Sequence, residues 1–224
     1  MKIDKKQLCT ICNYTFFSLV IVACLVLTIV LKLNWITLLS CVAGILYVVL
    51  LSDRSVWNFI VGLVSSATYI YVAFEAKLYG EVIFYLAVDL PMIVVSFCMW
   101  KKHLDKTNRV AAKKLNWKQI LIIVVACGAV MVGYAFLLKA IGGVNVFVDA
   151  ASTVVSFVAT LLMAFRYREQ WFLWLVVNIL SVVMWAITFD LLMLIMSASC
   201  LLSCFVGFIN WTNSTKAEKK PLEE

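Results

Sequence analysis

Four residues within one stretch of chain carry groups well suited to holding a small molecule: Trp171, Trp174, Asn178 and Trp185. They recur at i, i+3, i+7 and i+14. At about 100° per residue a helix gathers them into a sector of roughly 60°. Three indoles and one primary amide then form a single stripe. Indole faces stack on flat or cationic rings. A buried amide donates and accepts hydrogen bonds, so it can fix a ligand's orientation. The competing reading is an interfacial aromatic belt, because tryptophans in membrane proteins collect at helix ends. That reading suits Trp171 and Trp185 and leaves Trp174 and Asn178 too deep.

The first half of the chain offers its own polar and aromatic candidates: Asn58, Gly62, Tyr69 and Tyr71, then Tyr79, Gly80, Tyr85 and Asp89. The tyrosines read equally well as interface anchors. Asp89 falls near the middle of an apolar run, where a carboxylate is costly and faces a cavity or a partner. Two states are open to it: charged and facing a cationic ring, or protonated and bonded to a sugar hydroxyl or a neighbouring helix. Glu81 and Asp149 lie nearer the ends of their runs. Of eight cysteines, six sit in or beside apolar segments as small packing residues. Cys9 and Cys12 have redox-like spacing, but no second pair or nearby histidine accompanies them, so no metal site is expected. The one histidine, His103, reads as a solvated loop residue.

The elements that must position these groups are membrane helices. The chain is 65% hydrophobic and 14% charged, far from the balance of a soluble domain. A span needs about 20 largely apolar residues. Eight segments qualify: 14–31, 33–52, 55–74, 78–100, 119–138, 143–165, 170–189 and 191–212. The first run is too long for a signal-peptide core and reads as a true span. The runs lack the alternation of a membrane barrel. Lipid leaves backbone groups no water to bond, so the segments are helical.

Most connections are very short, which forces neighbouring helices to run antiparallel. The substantial loop is 101–118, with seven Lys and Arg residues. Eight crossings place both termini on one side, and that side collects sixteen of the nineteen basic residues. Only Lys32, Lys77 and Lys139 fall opposite. The positive-inside rule puts both termini in the cytoplasm. The net charge of +7 is therefore a topology signal, and no nucleic-acid partner is expected.

The halves repeat. A shift of 116 residues pairs Ser40 with Ser156, Asp53 with Glu169, Asn58 with Trp174, Gly62 with Asn178 and Tyr69 with Trp185. After Glu75 the shift becomes 111 and Trp100 meets Trp211, as if the first half held a loop longer by five residues. The expected order is a terminal segment with an extra helix (1–32), a three-helix bundle (33–100), a basic loop (101–118), a linker helix (119–142), a second bundle (143–212) and a tail (213–224). One linker crossing makes the repeats parallel. Transporters place substrate between such repeats near the midplane.

The Trp-x-x-Trp-x-x-x-Asn run of Trp171, Trp174 and Asn178 resembles the hallmark of the PnuC-type vitamin transporters. These are full-length bacterial relatives of the SWEET sugar transporters, with a three-one-three helix plan. The resemblance also covers the chain's length, its extra first helix and its repeat. It implies that the two tryptophans and the asparagine contact substrate, with nicotinamide riboside the best-known substrate. Thiamine, riboflavin and deoxyribonucleosides suit similar members. It implies a bacterial cell membrane, no cofactor, and a homotrimer. It further implies facilitated diffusion by alternating access, with intracellular phosphorylation trapping the substrate. The chain has no phosphate-binding loop for ATP. The rival readings are a substrate-binding subunit of an energy-coupled importer and a membrane-embedded enzyme. The enzyme would need a nucleophile, a metal cluster or an acid–base pair at a membrane face, and the sequence offers none.

Overall fold

A computed structural model describes residues 5–140 and 146–217, less the side chains of residues 5–13, 79, 80, 137, 138, 146–149, 152, 216 and 217. The helices are α1 (Lys5–Leu31), α2 (Trp35–Ser52), α3 (Asn58–Glu75), α4 (Tyr79–Phe84), α5 (Leu90–Lys101), α6 (Trp117–Ala140), α7 (Val146–Ala164), α8 (Gln170–Ile187) and α9 (Leu191–Ala217). A π-turn, Tyr85–Asp89, joins α4 to α5 within one span. Among the described residues, seven helices are long and apolar enough to cross a membrane, and the described part of α7 is a shorter apolar helix. The side chains of Cys9, Cys12, Tyr79 and Asp149 lie outside the described residues, and Gly143, the expected start of the sixth span, lies outside them entirely.

The tight turns end helices with non-glycine residues at positive φ: Lys32, Arg54, Lys77, Arg166 and Phe189, between 52° and 66°. A left-handed residue lets the amides after a helix bond back to its last carbonyls. Arg54 N donates to Leu51 O at 2.9 Å and Ser55 N to Leu50 O at 3.0 Å. Arg166 N and Tyr167 N repeat this with Met163 O and Leu162 O, at 2.9 and 2.8 Å.

These turns set the repeat register, and it differs from the shift read in the sequence. Arg54 and Arg166 are 112 residues apart, as are Lys77 and Phe189. The ends of α3 and α8 obey the same spacing. Asn58 thus matches Gln170, Gly62 matches Trp174, Ser66 matches Asn178 and Ala73 matches Trp185. The sequence alignment at 116 was led by a few coincident residue types, whereas the turns register the backbone itself. No five-residue loop is needed either. The π-turn adds one residue to the first repeat, and beyond it the spacing is 111, so Trp100 meets Trp211. In that turn Leu90 N bonds to Tyr85 O, five residues back. Pro91 follows, and with no N–H it cannot serve the Ala87 carbonyl as an α-helix would.

The repeats meet twice in the same way. Helix α2 packs on α9, and α7 packs on α5. Trp100 Nε1 on α5 donates to Met163 O of α7 at 3.1 Å, and Trp211 Nε1 on α9 donates to Leu51 O of α2 at 3.0 Å. Leu51 and Met163 are matched positions, so the two bonds are related by a pseudo-twofold axis. Helix α1 lies against α2, and α6 lies against α7.

The basic loop is a strap across one end of the bundle. Val110 N bonds to Arg54 O and Val56 N to Asn108 O, both at 3.1 Å. On the other repeat Lys113 N bonds to Arg166 O at 2.7 Å and Arg168 N to Lys113 O at 3.0 Å. The strap thus grips the matched turns of both repeats. Its own bend is closed by Asp105, whose Oδ1 accepts from Thr107 N, Thr107 Oγ1 and Arg109 N. Slight burial pushes that carboxyl up, but hydrogen bonds from Arg109 and Thr107 outweigh it and hold the group below its ordinary range. His103 is exposed in the same loop, as expected.

Candidate functional site

Helices α2, α3, α8 and α9 and the π-turn enclose a cavity of about 110 Å3 between the repeats. Six of the eight candidates line it: Trp171, Trp174 and Asn178 from α8, Tyr69 from α3, and Tyr85 and Asp89 from the π-turn. The helical spacing on α8 brings the first three together. A larger groove, about 640 Å3, runs between α6, α7 and the π-turn. Its walls are almost wholly aliphatic and aromatic, so it lacks the convergent polar groups of a ligand site.

The second repeat gives the cavity its flat side. Asn178 Nδ2 donates to Trp174 O at 2.8 Å and lies 3.6 Å from Cys204 Sγ. The amide is thereby oriented from its nitrogen. Trp171 Nε1 and Trp174 Nε1 are buried and find no hydrogen-bond partner among the described residues. Buried polar groups in native proteins are normally satisfied, so two donors at a cavity wall suit a ligand that brings acceptors.

The first repeat supplies charge capacity. Ser66 Oγ donates to Asp89 Oδ2 at 2.5 Å. Asp89 is buried, yet it lines the cavity. Among the described residues that line the cavity there is no lysine or arginine. A carboxylate there can meet a cation or a hydroxyl donor.

Away from the strap, three rings close the cavity. Tyr69 stacks on Tyr85 with centroids 4.4 Å apart, and Trp185 meets Tyr69 edge-on at 5.7 Å. Beyond them, at the end away from the strap, lies a second cleft of about 490 Å3 lined by Trp185, Tyr71, Glu75 and Asp190 among others. Trp185 therefore sits outside the cavity, with Tyr69 between. It shares the α8 stripe but lies seven residues, about two helical turns, beyond Asn178. Asn58 is also outside. It is fully buried at the strap end, where Nδ2 donates to Ser55 O at 2.5 Å and so braces the α2–α3 turn. The sequence alignment had set it opposite Trp174, and the true register sets it opposite Gln170.

The sequence reading missed Ser66, Tyr47, Cys200 and Cys204, which also line the cavity. Ser66 could have been found as the match of Asn178 at the correct register. Tyr47 could have been found as a large ring near Gly62, against which it packs at 3.0 Å from an added Cβ.

Residues 34–213 match the model of a family described as nicotinamide mononucleotide transporter. The nicotinamide riboside transporter PnuC of Neisseria mucosa is 38% identical over 194 residues, covering 82% of this chain and 74% of that one. Its counterpart from Haemophilus influenzae is 36% identical over 188 residues, covering 82% and 81%. A crystal structure of the vitamin B3 transporter PnuC superposes with a TM-score of 0.85 at 34% identity and covers 92% of each chain. The cavity between two repeats, the motif that lines it and these likenesses converge, and the chain belongs to the nicotinamide mononucleotide transporter family, a multi-pass bacterial membrane transporter.

Proposed function

We propose that this chain carries nicotinamide riboside across the membrane by facilitated diffusion, with both termini and the strap in the cytoplasm. The observation that carries the reading is one cavity with two unlike walls. Trp171, Trp174 and Asn178 form a wall suited to a flat ring, and Ser66 with Asp89 forms one suited to a cation or hydroxyls. Nicotinamide riboside has a flat cationic pyridinium, a carboxamide and a ribose. Indole faces attract such a ring. The carboxamide and hydroxyls bring acceptors for the unpaired indole donors. The relatives named for this substrate support the same assignment.

The mechanism follows from the two closures. Ligand sites usually hold about 300–1,000 Å3, so a cavity of about 110 Å3 must widen to admit substrate. Bundles 33–100 and 143–212 would rock about their shared α2–α9 and α5–α7 contacts. The Tyr69–Tyr85–Trp185 rings would part on the outer side and the strap would loosen on the inner. Binding that holds on neither side alone gives alternating access, and phosphorylation inside would make uptake net.

The test is uptake of labelled nicotinamide riboside by the purified chain in liposomes. Equilibration without ATP or an ion gradient is expected, with accumulation only when a riboside kinase and ATP are enclosed. No uptake by the chain alone, with binding intact, would mean that it is a subunit of a larger importer. For orientation, single cysteines in the strap should resist an impermeant thiol reagent in intact cells. Labelling from outside would reverse the assignment.

A further inference from the structure

We infer that Gly207 on α9 is the positioning residue for the Trp171 indole and holds that ring at the cavity wall. The inference rests on the proposed function, because it takes Trp171 as part of the substrate site.

A Cβ added to Gly207 would run into Cζ2, Cε2 and Cη2 of Trp171. All three are atoms of the indole's six-membered ring, and Cε2 is bonded to Nε1. The six-membered ring therefore lies directly on the glycine, with the Cε2–Cζ2–Cη2 side at the contact. Trp211, one turn further along α9, meets the same indole edge-on at 6.1 Å. Cys204, nearly one turn before, meets Asn178. The spacing 200, 204, 207, 211 is a single stripe of α9. It forms a bed beneath the Trp171 and Asn178 side chains of α8. Trp171 is 1% exposed, and its Nε1 has no partner among the described residues. A small lateral shift of so confined a ring would take both its face and its donor away from a bound ligand.

Close helix packing by itself does not explain the glycine. The first repeat holds an internal control. The positions matched to Trp171 and Gly207 are Phe59 and Ser96, both fully buried. Phe59 packs on Trp100 at 4.9 Å as Trp171 packs on Trp211. At the position matched to Gly207 a serine stands where the matched ring is the smaller phenyl, and Phe59 is absent from the cavity lining. The two helix pairs share one architecture. Only the pair that brings an indole to the cavity has its Cβ removed.

The experiment is calorimetric titration of nicotinamide riboside into detergent-purified wild type, Trp171→Ala, Trp171→Phe, Gly207→Ala and the double variant Trp171→Phe/Gly207→Ala, with melting temperatures for each. Gly207→Ala is expected to weaken binding by about tenfold or more. The double variant is expected to bind as Trp171→Phe alone does, because a phenyl ring leaves room for the methyl group. This non-additivity marks coupled neighbours, and a glycine needed only for folding would not give it. Should Gly207→Ala fail to fold, recovery of folding and of Trp171→Phe affinity in the double variant supports the inference, and failure of that variant too overturns it. If Trp171→Ala weakens binding and folded Gly207→Ala stays within about twofold of wild type, the positioning role falls and the proposed site stands. Independent, additive losses in the double variant also overturn it. If wild type does not bind, or if Trp171→Ala binds as wild type does, the site reading falls and this inference with it.

Discussion

In the first repeat Tyr47 of α2 lies over Gly62 of α3; in the second the matched positions are Ala159 on α7 and Trp174 on α8. Each matched pair consists of one large ring and one small residue, but the ring changes helices. Both rings reach the cavity, from α2 on one side and from α8 on the other. The next matched pair differs in chemistry. Ser66 donates to Asp89 in the first repeat, whereas Asn178 approaches Cys204 in the second. Shared backbone, paired Trp100 and Trp211 bonds and a shared strap make the scaffold symmetric. Swapped ring positions, a carboxylate and a π-turn make the cavity asymmetric.

The scaffold half of the comparison breaks most easily at the paired tryptophans. Trp100→Ala and Trp211→Ala each remove a fully buried indole and leave a carbonyl without its donor. Each should cost about 3–5 kcal/mol of stability, read as a fall in unfolding midpoint, and the two losses should be similar. A marked inequality would mean that one repeat contact dominates. The cavity half is probed by Trp174→Ala and Asn178→Ala. Loss of a stacking ring or a buried hydrogen bond should cost on the order of 1–3 kcal/mol, about 5- to 150-fold in affinity, with little change in melting temperature. Normal binding by both folded variants would restore the interfacial-belt reading. The chemical difference between the repeats is sharpened by Asp89→Asn. It should weaken a cationic ligand by about tenfold more than a neutral analogue of the same shape. Equal loss for the two ligands would assign Asp89 a neutral or structural role. The smallest effect belongs to Asn58→Ala. It should lose about 0.5–1.5 kcal/mol of stability and leave affinity within about twofold, since Asn58 braces a turn and does not line the cavity. A large affinity loss without destabilisation would return Asn58 to the site.

The aromatic stripe on α8 was legible because a helix of known pitch relates residues three, four and seven apart without any partner. So Trp171, Trp174 and Asn178 could be grouped by spacing. The same logic overreached at Trp185. Angular position is shared along the whole helix, but depth is not, and Tyr69 of α3 closes the cavity before Trp185 is reached. Asn58 was misplaced for a different reason. Coincident residue types suggested a register of 116, and nothing in those types records where a turn bonds back to its helix.

By itself the sequence determined that this chain crosses a membrane many times and that Trp171, Trp174 and Asn178 share one face of α8. These follow from composition, span length and helical pitch, which are properties of single segments. The tertiary structure alone decided the 112-residue register, the π-turn before Pro91, the Ser66–Asp89 bond and the contact of Trp171 with Gly207. The physical reason lies in the solvent. In water, a helix's apolar stripe marks the face that meets its neighbour. In lipid, the faces turned outward are as apolar as those turned inward, so hydrophobicity does not record which neighbour a residue meets or at what depth. Those facts reside in small residues, turns and paired polar groups, and they become readable only when the helices are packed.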